Sequence, residues 1–406
     1  MIERFYDKLL QEHIANYNQM LFLSGPRQVG KTTLSKLIVK GLNHYLYLNW
    51  DLIEDREVIL SGPSFVAKKI FSDVAFGKKP VIIFDEIHKY SNWKGYIKGF
   101  YDTYRDKFSV IVTGSAKLDV YQQGGDSLMG RYFYYRVHPL SVSELCNLED
   151  SLTLNGCLKR PKRIEPESWK ALLEFGGFPD PFINKDPAFY NRWQLLRHRQ
   201  LFKEDLRDIS RVYEVSQMEV LAKILDSQIG QITNYSKLAS KVRVSDKTIR
   251  NWIEVLRSLY FCFMIKPWTK NITRSLLKEP KIFLWDWSAI DDQGMRVENF
   301  VASHLLKAVH YWTDAGLGKF ALHFVRDLEK REVDFLLTRD DKPWMLIEVK
   351  SSYRESLSKN LLYFNEVLQP EHCFQLAYNL EYQDIDVFTL KTPHIVSMQT
   401  FLSQLV

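Results

Sequence analysis

Apolar positions recur along this chain with two different periods, and the changes of period divide it into segments. From Met20 to about residue 145, short apolar runs alternate with stretches of helical period. The runs Met20–Leu23, Tyr45–Asn49, Val81–Phe84 and Val110–Thr113 predict strands. Such runs between amphipathic helices indicate a parallel sheet covered on both faces. Residues 1–19 read as an amphipathic lead-in helix, and from 150 to about 212 the pattern is helical and charge-rich. Three closely spaced helices follow at 217–227, 235–242 and 246–259, with a strand expected over 260–267. Beyond about 280 come a helix, a strand, a hairpin and a further strand. The divisions drawn on this pattern are 1–150, 151–215, 216–275 and 276–406.

Composition narrows the classes. The 406 residues, 46% hydrophobic and 26% charged, suit a globular protein of several domains. A net charge of +6 permits nucleic-acid contact without requiring it. The cysteines Cys146, Cys157, Cys262 and Cys373 show no CxxC spacing, against a zinc ribbon or a thioredoxin-like site. The N-terminus MIERFYDKLLQEH is too charged for a signal peptide, and no apolar run approaches the roughly 18 residues that span a bilayer. A cytoplasmic location with no membrane partner is expected.

Chemistry enters at Gly25-Pro26-Arg27-Gln28-Val29-Gly30-Lys31-Thr32, which matches G-x-x-x-x-G-K-[ST]. An apolar strand precedes it, and a helix is expected over Thr33–Lys40. Glycines let the backbone of Gly25 to Thr33 wrap so that several of its N–H groups converge on phosphate oxygens, and the helix N-terminus adds partial positive charge. ATP with Mg²⁺ is the expected ligand. Lys31 is expected on the β and γ oxygens, and the Thr32 hydroxyl on Mg²⁺. In Val81-Ile82-Ile83-Phe84-Asp85-Glu86 two acids end an apolar strand. Asp85 is assigned to Mg²⁺ and Glu86 to the attacking water; a helix-capping role is the alternative. Ser115, after the strand Val110–Thr113, is assigned to sensing the γ-phosphate or orienting water; a plain strand exit is the alternative. Arg131 is a candidate arginine finger or a surface arginine. As a finger across a subunit boundary it implies a homo-oligomer.

The three-helix segment reads as a winged helix-turn-helix. Ser245 is a candidate N-cap, Ile249, Trp252, Leu256 and Leu259 share a face, and 260–267 would form the wing. Between 236 and 250 lie five basic residues, Lys237, Lys241, Arg243, Lys247 and Arg250, and one acid, Asp246. That edge suits DNA; a structural or protein-binding role stands beside it.

Farther on, Glu332–Leu337 and Trp344–Lys350 read as a hairpin. A turn centred on Asp341 pairs Asp334 with Glu348 and places Lys350 beside them. This D…E-x-K arrangement is similar to that of PD-(D/E)xK nucleases, in which Mg²⁺ stabilises phosphoryl charge. Glu298, on a helix expected over Val297–Val309, is a third candidate metal ligand with Asp334 and Glu348, and Lys350 the candidate catalytic lysine. A salt-bridged structural hairpin is the alternative.

GPRQVGKTT, VIIFDEIH, VTGSAK, SLMGR and HPLSVSEL, with Glu174-Phe175-Gly176-Gly177-Phe178-Pro179, resemble the AAA-type ATPases that carry a C-terminal DUF4143 domain. The likeness runs the length of the chain. It implies an α/β fold: an AAA-like P-loop parallel sheet at 1–150, a helical lid or linker at 151–215, a winged helix-turn-helix at 216–275 and a restriction-endonuclease-like α/β domain at 276–406. The expected function is an ATPase coupling hydrolysis to nucleic-acid engagement, DNA above all, with Mg²⁺-dependent nuclease chemistry at the C-terminal hairpin. The rival is a nucleotide-operated switch that binds a protein or DNA partner and cuts nothing. A small-molecule kinase lacks an acceptor-site motif and does not account for the helix-turn-helix.

Overall fold

The computed structural model describes residues 2–42, 44–71, 79–114, 128–146, 157–206, 215–269, 279–391 and 393–406. They group into two units, Met1–His138 and Pro139–Val406.

In the first unit, helix α1 (Tyr6–Asn16) leads into β1 (Met20–Ser24), α2 (Lys31–Ile38) and β2 (Tyr45–Asn49). Helices α3 (Ile53–Leu60) and α4 (Pro63–Phe71), β3 (Val81–Asp85), α5 (Trp93–Tyr104), β4 (Ser109–Thr113) and β5 (Tyr132–Arg136) follow. The five strands form one sheet in the order β2-β3-β4-β1-β5, parallel throughout. All four predicted strands are present. β5 was missed: Tyr132-Phe133-Tyr134-Tyr135-Arg136 is a half-exposed edge strand like β2, but it carries none of the aliphatic residues that marked the other strands. The central strands β1, β3 and β4 are buried along their whole length. Their core is aromatic: Phe84 packs against Phe100 of α5 at 5.6 Å between ring centroids. The chain runs from β1 out to β2 and returns through β3 and β4, while β5 lies beyond β1. Such a reversal opens a crevice at the carboxyl ends of the strands, where ligands of open α/β sheets bind.

In the second unit, α6 (Val142–Cys146), α7 (Pro166–Phe175), α8 (Pro179–Asn184) and α9 (Pro187–Gln200) precede the three predicted helices. Those are α10 (Val215–Asp226), α11 (Tyr235–Val242) and α12 (Asp246–Ser258). Ser245 caps α12, its side chain accepting from the Thr248 N–H. A seven-stranded sheet follows in the order β12-β11-β10-β9-β8-β6-β7. Its strands are β6 (Cys262–Pro267), β7 (Lys281–Leu284), β8 (Phe320–Arg326), β9 (Glu332–Arg339), β10 (Lys342–Lys350), β11 (His372–Ala377) and β12 (His394–Ser397). Helices α13 (Gln293–Asp314), α14 (Lys359–Leu368) and α15 (Met398–Ser403) complete the unit. The strand expected as a wing, β6, pairs antiparallel with β7 and parallel with β8, so it belongs to the C-terminal sheet. Among the described residues, 139–406 pack as one unit across the divisions drawn at 151, 216 and 276.

Two sequence signatures are structural here. In HPLSVSEL, the Glu144 carboxylate pairs with the buried Lys307 ammonium of α13, which also donates to Pro139 O and Ser141 Oγ. The nearby His304 Nε2 accepts from the Val142 N–H, and burial pulls that imidazole down to about 3, keeping it neutral. In GGFP, a Cβ on Gly177 would lie 2.5 Å from the Trp287 ring and 2.7 Å from Leu140 O, so this crossing admits only glycine.

Candidate functional site

The phosphate loop connects β1 to α2, which begins at Lys31, two residues earlier than expected. Gly30 sets that start: at φ 96° it occupies the left-handed region and serves as the N-cap. Gly25 is required for a different reason, since a Cβ there would lie 2.2 Å from Val137 O. Arg4, ahead of α1, supports the loop from behind by donating to Val29 O at 3.2 Å and His138 O at 2.6 Å. The Lys31 ammonium is buried and donates to Gly25 O at 2.9 Å and Pro26 O at 2.7 Å.

β4 lies between β1 and β3, yet the ends of all three meet. Thr32 Oγ1 donates to Asp85 Oδ2 at 2.9 Å, and Thr113 Oγ1 at the end of β4 donates to Asp85 Oδ1. The Tyr47 hydroxyl, from β2, donates to Asp85 Oδ2 at 2.6 Å. Tyr47 and Thr113 were not singled out in the sequence, because a hydroxyl inside an apolar run reads as strand filler until pairing register aligns it. Here Asn49↔Asp85 and Asp85↔Thr113 are register partners, which brings the strand ends level. Glu86 follows at φ 57°, its N–H bonded to Thr113 O. Its carboxylate lies 3.6 Å from His88 Nε2 and 3.5 Å from Lys89 Nζ. Burial raises the Glu86 pKa, Lys89 and Lys31 oppose that shift, and Asp85 adds to it.

Ser115 lies outside the described residues. Arg131 is placed away from the phosphate loop. Its carbonyl accepts from the Met20 N–H at the start of β1, whereas the loop begins at the far end of that strand. At about 3.3 Å per residue, roughly 16 Å of strand separates them. Its guanidinium binds Asp102 of α5, with Nε 2.8 Å and one terminal nitrogen 3.1 Å from the carboxylate.

In the second unit the hairpin turns at Asp340 and Asp341, both with positive φ, as a two-residue turn matching the twist of the strands requires. The pairs Leu337↔Met345, Leu336↔Leu346 and Phe335↔Ile347 extend to Asp334 opposite Glu348, the predicted register. Asp334 Oδ2 accepts from the Val349 N–H at 2.8 Å. Glu348 Oε1 pairs with Lys350 Nζ at 2.9 Å, while Glu348 Oε2 is buried and takes no hydrogen bond among the described residues. Glu298 of α13 is turned to a different partner, Lys281, whose ammonium lies 3.5 Å from Glu298 Oε1, 2.8 Å from Glu332 Oε1 and 3.9 Å from Asp334 Oδ1. Burial raises the Glu348 pKa to about 7 and that of Glu298 to about 8; the Asp334 charge adds to both. No group of three or more His, Cys, Asp or Glu among the described residues is arranged to hold a metal ion. The donor set instead presents a pair, Asp334 and Glu348. Mg²⁺ is commonly held by one or two carboxylates with water and substrate phosphate, so the pair fits one such ion.

Three family models match the chain: an AAA domain over residues 17–146, a domain of unknown function (DUF8612) over 166–290, and a domain of unknown function (DUF4143) over 293–395. The chain is an AAA-type P-loop protein with a C-terminal DUF4143 domain. Uncharacterized proteins of Mycobacterium bovis and Mycobacterium tuberculosis are each 22% identical to it over 363 residues, covering 84% of this chain and 72% of theirs. A Walker-type ATPase of Pyrococcus abyssi aligns in structure with a TM-score of 0.46 and 15% identity, covering 70% of this chain and 94% of that one.

The AAA domain holds the whole Lys31–Thr32–Asp85–Glu86 set and supports ATPase activity. The acidic site is divided differently: Glu298, Glu332, Asp334, Glu348 and Lys350 lie in the DUF4143 segment, whereas Lys281 lies in the preceding one. Lys281 and Glu332 escaped the sequence reading, although Glu332 stands two residues before Asp334 and so shares its face of β9. Among the described residues, no helix is long and apolar enough to cross a membrane.

Proposed function

We propose that the AAA domain hydrolyses ATP with Mg²⁺ and that turnover governs engagement of nucleic acid, DNA foremost, by the rest of the chain. The convergence of Lys31, Thr32 and Asp85 at the carboxyl ends of β1 and β3 carries the first half. Mg²⁺ would supply positive charge at the phosphate oxygens, with Thr32 and Asp85 as its holders. Lys31 exchanges the carbonyls of Gly25 and Pro26 for phosphate oxygens. Glu86 polarises the attacking water, and burial makes its carboxylate a stronger base than an exposed one.

The nucleic-acid half rests on charge placement on the helix-turn-helix pair α11 and α12. Lys237, Lys241, Arg243, Lys247 and Arg250 are all exposed on α11, α12 and the turn between them. Arg250 lies with its guanidinium carbon 3.8 Å from the Tyr235 ring centroid, a contact that holds it in place. Each phosphate neutralised contributes about 0.9 to the salt slope of binding to duplex DNA. The Lys247→Ala/Arg250→Ala variant is therefore expected to flatten a plot of log affinity against log salt by about 2. A slope equal to that of the parent protein, measured by fluorescence anisotropy, removes this face from DNA binding.

Arg131 serves as a finger only between copies, given its distance from its own phosphate loop. Mixing Arg131→Ala with Glu86→Gln protein is expected to restore part of the turnover that each lacks alone. Turnover that does not depend on protein concentration, with no recovery on mixing, removes the inter-copy role.

For the DUF4143 domain we propose a restriction-endonuclease-like site in which Asp334 and Glu348 hold one Mg²⁺ or Mn²⁺ and Lys350 acts on water or phosphate. The Lys350–Glu348 pair favours a second reading, a nucleotide-operated switch that binds its partner without cutting. Salt-bridged hairpins need no metal. Uptake of metal at Asp334 decides between them.

A further inference from the structure

Lys281 is an unusual occupant of an acidic site. It is 2% exposed, and burying an ammonium is costly unless carboxylates surround it. Three do, from two elements: Glu298 of α13, and Glu332 and Asp334 of β9. Burial disfavours its charge, and the carboxylates of Glu298, Asp334 and Glu332 outweigh that, holding the lysine protonated.

The backbone that carries Lys281 is fixed on both sides. Lys281 pairs with Ile265 of β6 on one side and bridges to Ile232 on the other. The flanking bonds Gly230 N–H to Ile282 O and Thr233 N–H to Pro280 O complete the clamp. Gly230 also makes room for the acid, since a Cβ at this position, at φ 72°, would lie 2.8 Å from Glu298 Oε1. Lys281 and Glu298 are thus held together by backbone placed for that contact.

The charge balance indicates what else the site accepts. Glu332 is committed to two cations, with Oε1 on Lys281 and Oε2 on Arg326 at 2.8 Å. Glu348 gives Oε1 to Lys350, and its buried Oε2 is without a hydrogen-bond partner among the described residues, across the strand pair from Asp334. Above about pH 8, where burial no longer holds a proton on Glu298 or Glu348, four carboxylates face three fixed cations, Lys281, Arg326 and Lys350. One negative charge then remains, enough to attract one divalent ion but not two.

We propose that the Lys281 ammonium is a built-in cation of this site. It stands among Glu298, Glu332 and Asp334 where a second divalent ion would otherwise sit and offsets one of their charges, so the site takes up a single ion at the Asp334–Glu348 pair. This rests on the reading of that pair as a metal site.

The test counts Mn²⁺ bound per chain by electron paramagnetic resonance. It uses nucleotide-free full-length protein carrying Asp85→Asn, so that the phosphate loop contributes no metal. One ion is expected in this background, none after Asp334→Asn, and two, or one bound at least tenfold tighter, after Lys281→Met. Lys281→Arg, which keeps the charge, is expected to stay at one with unchanged affinity. Two ions in the background, or an unchanged count and affinity in folded Lys281→Met protein, overturn the role of Lys281 and leave the metal reading standing. No Mn²⁺ in the background or in Lys281→Met overturns the metal reading itself. If Lys281→Met does not fold, Lys281→Gln, which removes the charge but keeps a polar group facing the carboxylates, takes its place with the same expected result; an unchanged count and affinity in folded Lys281→Gln protein also overturns the proposal.

Discussion

Lys31→Ala is expected to lower steady-state ATP hydrolysis by at least about a hundredfold. The buried ammonium is a side-chain charge that the phosphate loop offers to the transferring phosphoryl group, and loss of one preorganised stabilising group in a closed site costs about 3 kcal/mol or more. Glu86→Gln is expected to bind nucleotide as the parent does and to turn over at a similarly reduced rate, because an amide keeps the shape but cannot accept a proton. Asp85→Ala removes the common acceptor of Thr32, Tyr47 and Thr113 and should lose Mg²⁺-dependent binding along with turnover. Isothermal titration calorimetry and phosphate release on the same preparations separate the two effects. Parent-like turnover in both Lys31→Ala and Glu86→Gln proteins would sink the mechanism.

Asp334→Ala in the full chain is expected to abolish metal uptake at the hairpin, and with it any strand cleavage, while ATP turnover stays within about twofold. Lys350→Ala should spare the metal and abolish cleavage, since its proposed action is on water or phosphate. Uptake should also depend on pH in a defined direction. The Glu348 carboxyl, raised by burial and by the Asp334 charge to about 7, must lose its proton to act as a ligand. Affinity for Mn²⁺ is therefore expected to rise from pH 6 to pH 8 with release of a proton, and to fall as the pH drops through about 7. Titration calorimetry in buffers of different ionisation enthalpy reads that proton directly. A chain that takes up no metal anywhere in this range leaves the switch as the function of the DUF4143 domain.

Much of this was legible along the chain because the signals were local. The phosphate loop needs strand, glycines, lysine and helix in immediate succession, so sequence spacing already fixes its chemistry. The β9–β10 hairpin is local too, although its two-residue turn alone would pair Asp334 with Ile347; the register shift between Pro343 and Met345 moves the pairing by one residue and sets Asp334 opposite Glu348. Helices α11 and α12 carry their own caps and apolar faces, and their bounds came out within a residue of the prediction.

What the sequence could not determine depends on pairing between distant segments. Tyr47 and Thr113 become ligands of Asp85 only because β2, β3 and β4 lie side by side in register. Arg131 reads in the sequence as a finger or a surface arginine, and parallel pairing of β5 with β1 carries it to the opposite end of the sheet from its own phosphate loop, where Asp102 holds it. Lys281 stands 53 positions before Asp334 on a four-residue strand, and no spacing rule connects them. The sequence determined which residues close in the chain share a loop, a turn or a face. The tertiary structure decided which distant charges meet, because burial makes an unpaired ammonium or carboxylate costly and so selects the packing in which Lys281 lies among three acids.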